Sequence, residues 1–174
     1  YYENRSQPPL LTLMVAAYVS ASGDIEFLQR NLPLLEREHS YWLNKSTSAV
    51  IVISKRTGKT YTLARYVADL GSPRPEGFFE DHELGKSVRP EDQRRFFHDI
   101  AAGAASGWDF SSRWLRPGSM KLTDIMTSSV VPVDLNSILY MVESTLSEFH
   151  AMLGHVEEAD RYLAIAAERA AAIH

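Results

Sequence analysis

The sequence predicts a mostly α-helical protein that contains one small β-hairpin. Apolar residues recur at i, i+3 and i+4 spacing in five segments, and helix start and stop signals separate most of these segments. One short β-branched run, Ala49–Ile53, interrupts this helical texture and is followed by a glycine-containing turn. Helices that alternate in this way are compatible with a bundle, a solenoid or part of an α/α barrel.

The first two helices are expected before residue 45. Pro8 and Pro9 suit the first turn of a helix, where a missing N–H costs nothing. Gly23 interrupts the first apolar pattern, and Asp24 is a suitable N-cap for the second helix, which ends near Asn44. The residues at helical spacing are Leu10, Leu13, Met14 and Ala17 in the first helix, and Ile25, Leu28, Leu32, Leu35 and Trp42 in the second.

The middle of the chain is expected to contain the hairpin, a long loop and a third helix. Ala49–Ile53 pairs with residues 60–63 across a turn at 55–59. Residues 65–81 are rich in Gly, Pro and aromatic residues, which predicts an irregular segment of a length that is often functional. Residues 90–105 then form a helix, whose predicted buried face is Phe96, Phe97, Ile100 and Ala104.

Two further helices are expected after a second long loop at residues 116–133. Asp134 is the predicted N-cap of the first, Gly154 ends it, and the last helix runs from about His155 to the end. The apolar face of the first is Leu135, Ile138, Leu139, Val142, Leu146, Phe149 and Leu153.

Composition excludes several classes of protein. The chain has 174 residues, 45% of them hydrophobic and 23% charged, as expected for one globular domain. A net charge of −4 without a basic run argues against a nucleic-acid surface. The absence of cysteine excludes disulfides and thiolate sites, and no apolar run approaches the ~20 residues that span a bilayer.

Neither a metal ion nor a cofactor is predicted. The six histidines, at positions 39, 82, 98, 150, 155 and 174, show no paired metal-ligand spacing. Gly58-Lys59-Thr60 lacks the earlier glycine that a phosphate-binding loop requires.

Three polar groups of residues stand out in loops or in apolar surroundings. The first is Arg5-Ser6-Gln7, directly before two prolines, and the second is Arg74-Pro75-Glu76, inside the first long loop. The third is Asp109, which lies between Trp108 and Phe110 and is followed four residues later by Arg113. All three are candidates for a ligand site.

Each group also has an ordinary structural interpretation. An arginine before a helix is usually solvated or ion-paired, and Glu76 beside Arg74 is typical of a surface pair. Asp109 is a candidate N-cap for a helical turn through Ser111 and Ser112.

The aromatic neighbours of Asp109 favour carbohydrate chemistry instead. Ring faces cover the C–H side of a pyranose, while charged side chains bind its hydroxyl groups. Aromatic surroundings disfavour the ionised carboxyl and therefore raise its expected pKa, whereas Arg113 would lower the pKa if it came close. The residues alone leave open which effect wins.

Four stretches together resemble the trehalases, inverting glycosidases that split α,α-trehalose into two glucoses. They are YYENRSQPPLLTLM, PRPEGFFED, GAASGWDFSSRWL and SSVVPVDLNSIL, in this order and at similar intervals. The resemblance covers essentially the whole chain and is greatest to animal trehalases. It implies part of an (α/α)6 barrel, with residues 1–174 as a middle portion of the catalytic domain and the N- and C-terminal parts missing. The start at Tyr1 without methionine and the helical pattern that runs to His174 agree with this expectation.

The resemblance also implies roles for individual residues. Asp109 matches the family's general acid, and the attacking water is activated by a glutamate that lies outside this chain. An inverting glycosidase needs both carboxylates, roughly 6.5–9.5 Å apart. Glu76 is a tempting substitute for that base, but its position in the family binds sugar. The positions that match substrate-binding residues are Arg5, Ser6, Gln7, Arg74, Pro75, Glu76 and Gly107.

One departure from the family pattern lies in the second group. Gly77-Phe78 replaces the usual serine and tyrosine or tryptophan, which would loosen the loop by removing polar donors. A related α/α-barrel glycosidase with changed specificity, or a catalytically dead helical scaffold or binding module, is the alternative.

The resemblance further implies the disaccharide trehalose as a small-molecule partner, and an extracellular or cell-surface location with membrane contact only through a lipid anchor. Any lipid anchor would lie outside the chain. If the protein is secreted, sequons at Asn4 and Asn44 allow glycosylation, with Asn44 the better candidate because Asn4 adjoins the expected site.

Overall fold

A computed structural model describes residues 5–44 and 48–174. Within them, six α-helices and one β-hairpin follow one another along the chain. Asn4 and two residues of the Asn44 sequon, Lys45 and Ser46, lie outside the described residues. No helix in the described ranges is long and apolar enough to cross a membrane.

The elements fall into two compact units. Of the described residues, one unit comprises 5–8 and 65–131, and the other comprises 9–44, 48–64 and 132–174. The first is called the loop unit and the second the helical unit. The helical unit contains α1 (Leu11–Ser22), α2 (Ile25–Leu43), β1 (Ala49–Ile53), β2 (Thr60–Ala64), α5 (Val133–Met152) and α6 (Val156–Ile173). The loop unit contains α3 (Phe78–Gly85), α4 (Pro90–Ala105) and four 3₁₀ turns, at Pro75–Gly77, Ser112–Trp114, Leu122–Asp124 and Thr127–Ser129.

The boundary between α1 and α2 and the hairpin follow the sequence signals closely. Asp24 caps α2 as predicted, since its side chain accepts a hydrogen bond of 2.9 Å from the Phe27 N–H. Gly23 adopts a left-handed conformation with φ of 70°, which ends α1. The hairpin forms at the predicted place, with Ala49 opposite Ala64 and Ile53 opposite Thr60.

The core of the helical unit lies between α1, α2, α5 and α6. It uses the predicted face of α5 and most of that of α2, although Ile25 is exposed. In α1 the buried residues are Thr12, Val15 and Val19, and not the face that contains Met14. Because α1 is apolar on all sides, its periodicity does not select the face that packs. The core residues are Val15, Val19, Leu28, Leu32, Leu35, Val142, Leu146, Phe149 and Tyr162.

A buried network of charged and polar groups completes this core. The Glu143 carboxylate accepts hydrogen bonds of 2.7 to 2.9 Å from Arg169 and lies 2.9 Å from His39 Nε2. Arg169 also donates to Asn136, whose amide exchanges two hydrogen bonds of 2.9 Å with the Ala64 backbone. The network therefore links α2, α5 and α6 to the end of β2.

Three predictions about helix starts are wrong. Pro8 and Pro9 do not lie in the first turn of α1, because that helix begins at Leu11 with Leu10 as its N-cap. Proline is equally compatible with the non-helical residues just before a helix. Residues 65–81 are not irregular throughout, because α3 begins at Phe78 after a 3₁₀ turn. Asp134 is not the N-cap of α5: Pro132 occupies that position, and Asp134 lies one residue inside the helix. The Asp134 carboxylate instead accepts a hydrogen bond of 3.0 Å from the Leu135 N–H, next to it in the helix.

The loop unit is built around α4, which spans the predicted residues. Phe96, Phe97 and Ile100 are buried as expected, whereas Ala104 is only partly buried. Fully buried Trp114 begins a strap that returns at Met126, whose N–H donates to the Trp114 carbonyl at 2.7 Å. Ile125 of this strap and Phe110 of the loop at residues 107–111, called the Asp109 loop, both lie beside Gly103 of α4.

Candidate functional site

The three polar groups of residues all lie in the loop unit, and the structure brings them into contact. Arg5 Nη1 lies 2.5 Å from Glu76 Oε1, which joins the first group to the second. Arg5 also forms an antiparallel bridge with Ala68, so the segment before the prolines is tied to the loop unit through its backbone. Glu76 is therefore not simply a surface partner of Arg74.

Arg74 is the best-fixed side chain of the site. Its backbone N–H and its Nε–H both donate to Asp81 Oδ2, at 2.9 and 2.8 Å, and Nη2 donates to Oδ1 at 2.8 Å. Only 8% of Arg74 and 1% of Asp81 are exposed. A bidentate pair in this environment holds a guanidinium in one orientation.

The charges around Arg74 keep its guanidinium ionised. The hydrogen bonds to Asp81 raise the pKa of Arg74 despite its burial, and the charges of Asp81, Glu76 and Asp109 act in the same direction. The pKa of Arg74 thus responds to Glu76 of its own group and to Asp109 of the third group, as well as to Asp81.

Gly77 leaves room for this arrangement. A Cβ atom at residue 77 would lie 2.9 Å from Arg74 Nη2, closer than van der Waals contact allows. The Asp81 carboxylate holds the guanidinium in place, so it cannot simply swing away. The glycine accommodates a fixed arginine, which argues against the expected loosening of the loop.

Phe110 connects Arg74 to the Asp109 loop. The Arg74 guanidinium carbon lies 5.1 Å from the centroid of the Phe110 ring, within cation–π distance. The ring packs near Gly103 of α4, where a Cβ atom would come within 3.3 Å of it. Phe110 therefore stacks under the arginine as well as packing on the helix.

The Asp109 loop is shaped by its backbone. Gly107 has a φ of 73°, a left-handed conformation that glycine adopts without strain. The Trp108 carbonyl accepts hydrogen bonds from the Ser111 N–H at 2.7 Å and from the Trp114 indole at 3.0 Å. The peptide bond between Asp109 and Phe110 is cis.

Asp109 itself is exposed and is not an N-cap. Ser111 caps the following 3₁₀ turn, because its hydroxyl accepts from the Arg113 N–H at 3.3 Å. Among the residues that the structure describes, Asp109 forms no hydrogen bond or ion pair, and its charge acts on Arg74. Its carboxylate is therefore available to a ligand.

The remaining predicted residues surround these groups. The Arg113 guanidinium lies 4.6 Å from the Trp108 ring centroid, and the Trp108 side chain is half exposed. Gln7 is exposed and Ser6 is partly buried, and Pro75 begins the 3₁₀ turn that carries Glu76. Gly107 lies beside the segment that contains Ser6 and Gln7, since a Cβ atom on residue 107 would be 3.8 Å from the Pro8 side chain.

Sequence reasoning missed Asp81. It lies seven residues after Arg74, in the first turn of α3, where an acidic residue is ordinary. A predicted helix start at Phe78 would have indicated that the Asp81 side chain is directed back towards the preceding turn, which contains Arg74.

The fold and the site define a helical protein that presents an exposed carboxylate, an ionised arginine and an indole face together. These are the groups that bind a polyhydroxylated ring. A family model described as Trehalase matches residues 1–174, the whole chain. The chain belongs to the trehalase family.

Individual relatives agree with this assignment. A protein named "Trehalase" from Dictyostelium discoideum is 46% identical over 168 residues, which cover 94% of this chain and 28% of that protein. "Trehalase" from Homo sapiens is 42% identical over 176 residues, covering 100% of this chain and 30% of that protein. "Probable trehalase" from Oryza sativa subsp. japonica is 38% identical over 154 residues, covering 88% and 27%. The chain thus spans less than a third of the length of these relatives.

The family match confirms the resemblance seen in the four sequence stretches. It also confirms the predicted fold class, since six helices and a two-stranded hairpin in the described residues are consistent with a fragment of the family's helical barrel.

Proposed function

We propose that the protein containing this chain is a glycoside hydrolase that converts α,α-trehalose to two glucose molecules with inversion. Membership of the trehalase family supports the substrate and the reaction class. The observation that carries the proposal is the exposed Asp109 carboxylate, which has no protein partner among the described residues and interacts with the charge of Arg74.

In this proposal Asp109 is the general acid. It protonates the bridging oxygen as the glycosidic C–O bond breaks through an oxocarbenium-like transition state. A glutamate outside this chain accepts a proton from the water that attacks the opposite face of the sugar. Exposure of the carboxylate on a loop suits this role, because the acid must reach a ligand rather than a neighbouring side chain.

Arg74 and Arg5 orient the substrate in this proposal. Both guanidinium groups are already held by carboxylates, so little side-chain entropy is lost when a sugar hydroxyl binds to a remaining N–H group. The Trp108 indole supplies an apolar face for the sugar ring, and the Arg113 guanidinium stacks on that indole. Ser6, Gln7, Pro75, Glu76 and Gly107 line the same loops as substrate-binding positions.

The test of the general acid is Asp109→Asn in the full-length protein. A general acid contributes about 10² to 10⁴ in rate, so we expect kcat for trehalose to fall by at least about 100-fold. α-D-Glucosyl fluoride releases fluoride, which needs little protonation, and its hydrolysis should fall much less. Asp160→Asn makes the same chemical change at an exposed residue of α6 and serves as the control.

The two substrates separate the proposed role from its alternatives. Equal losses on trehalose and on the fluoride would assign Asp109 to binding or positioning. Near-normal trehalose hydrolysis would refute the general acid. Trehalose binding without turnover by the unaltered full-length protein would instead support a catalytically dead module.

Inversion has its own measurement. Attack with inversion turns one glucose into the β-anomer and leaves the other α, so proton NMR at early times should show the two anomers in equal amounts. Release of α-glucose alone would contradict inversion. Because the general base lies elsewhere in this proposal, we expect the 174-residue chain by itself to be inactive. It should also associate, since Phe79 and Met14 are 71% and 66% exposed.

A further inference from the structure

Three side chains from three helices converge in the helical unit. Glu36 lies on α2, His150 in the last turn of α5 and Glu158 in the first turn of α6. One histidine nitrogen and one carboxylate oxygen from each glutamate all lie within 4.8 Å of one another. His150 Nε2 lies 3.2 Å from Glu36 Oε1.

The His150 ring is buried and held in place. Only 3% of the residue is exposed, and the Tyr162 ring stacks on the imidazole with 5.3 Å between centroids and 15° between planes. His150 Nδ1 lies 3.3 Å from His155 Nδ1, within hydrogen-bonding distance. A metal-binding imidazole ordinarily uses its second nitrogen in this way.

The nitrogen that faces the carboxylates lacks a hydrogen bond. His150 Nε2 is buried and has no hydrogen-bond partner among the described residues, although Glu36 Oε1 is near enough in distance. Buried polar atoms rarely lack a partner in folded proteins, and a bound ion can supply the interaction that such an atom needs. The unpartnered nitrogen points to a ligand held between it and the two glutamates.

We propose that Glu36, His150 and Glu158 form a binding site for a divalent transition metal ion, with Zn²⁺ as the best fit. Two carboxylates balance a double positive charge. Imidazole and carboxylate are common zinc ligands, and three protein ligands leave a fourth position for water. Calcium and magnesium favour oxygen ligands alone, so the buried imidazole argues against them.

The two glutamates can adjust to metal–ligand distances of about 2.0–2.2 Å. Both lie near the surface, with 34% of the Glu36 side chain and 47% of the Glu158 side chain exposed. Arg161 competes for Glu158, but its contacts of 2.6 and 2.7 Å both go to Oε2 and leave Oε1 for the ion. A bound ion would fasten α2 to α5 and α6.

The experiment is calorimetric titration of Zn²⁺ into the full-length protein after treatment with a chelator and its removal. The variants are Glu36→Gln and Glu158→Gln, which keep the side-chain volume but remove the charge. Glu157→Gln is the matched control, because it makes the same change one residue away on α6 and lies outside the cluster. Circular dichroism and trehalose hydrolysis confirm that each variant is folded.

We expect the unaltered protein and Glu157→Gln to share one zinc-binding step. In Glu36→Gln and in Glu158→Gln the Kd of that step should rise at least about tenfold. The visible absorption of bound Co²⁺ should report a nitrogen-containing site in the first two proteins and weaken in the other two. Zinc binding that is the same in all four proteins, or absent from the unaltered one, would overturn the proposal. Neither result depends on the role proposed for Asp109.

Discussion

Removing Asp81 should destabilise the loop unit and disable Arg74 together. Asp81→Ala deletes the acceptor of three hydrogen bonds, two from the Arg74 guanidinium and one from its backbone N–H. The Arg74 side chain is 10% exposed, and an arginine does not lose its proton at accessible pH. The variant therefore leaves a buried positive charge without its main partner.

The magnitude follows from this burial. Removing one partner of a buried ion pair costs about 3–5 kcal/mol. Glu76 and Asp109 act on the same guanidinium and offset part of the loss, so we expect the lower end of that range, about 3 kcal/mol. The exposed pair of Arg89 and Asp92 provides the contrast, with side chains 74% and 45% exposed. Such a pair contributes about 0.2–1 kcal/mol.

The assay is urea unfolding of full-length Asp81→Ala and Asp92→Ala, with kcat/KM for trehalose measured in the same preparations. We expect a clear fall in unfolding free energy and in kcat/KM for Asp81→Ala, and little change in either for Asp92→Ala. If the two variants lose the same stability, the pair of Arg74 and Asp81 does not stabilise the loop unit. If Asp81→Ala is destabilised but retains its kcat/KM, Arg74 does not orient the substrate.

Two further predictions concern packing and pH. Gly77→Ala places a methyl group 2.9 Å from Arg74 Nη2. We expect it to lower the free energy of unfolding in urea by about 1–3 kcal/mol and to lower kcat/KM. Gly71→Ala is the control, because its methyl group would meet an exposed arginine side chain, and it should change neither quantity. Burial raises the pKa of Glu143, but hydrogen bonds from the buried network outweigh that effect and hold the pKa below its ordinary value of 4.5. Its stabilisation is therefore present above pH 4.5 and is lost as the pH falls below it, so urea midpoints should decrease there. Glu143→Gln should be less stable at neutral pH and less sensitive to acid, and an unchanged acid dependence would contradict this reasoning.

Local sequence signals predicted those elements whose ends depend on nearby residues. The Asp24 cap, the Gly23 stop and the limits of α4 follow from contacts within a few positions along the chain. The hairpin follows from a β-branched run and its turn. The buried side of α1 was not predictable. The helix carries apolar residues on all its sides, so only the packing of neighbouring helices decides which side is buried.

The site divides in the same way. Residue types and their order identified Arg5, Arg74 and Asp109 as members of one family pattern, because short motifs in a fixed order can be read directly from the sequence. The ion pairs were not predictable. The sequence placed Glu76 beside Arg74, but in the structure Arg74 pairs with Asp81 and Arg5 pairs with Glu76. Each pairing depends on where a turn places two side chains in space.

The sequence by itself determined the helical fold class, the position of the hairpin and the family, because these depend on local periodicity and on the order of short motifs. Only the tertiary structure decided which charges pair, why residue 77 is glycine, and that His150 faces two glutamates from different helices. Electrostatic interactions and close contacts fall steeply with distance, and residues more than a hundred positions apart become neighbours only when the helices pack.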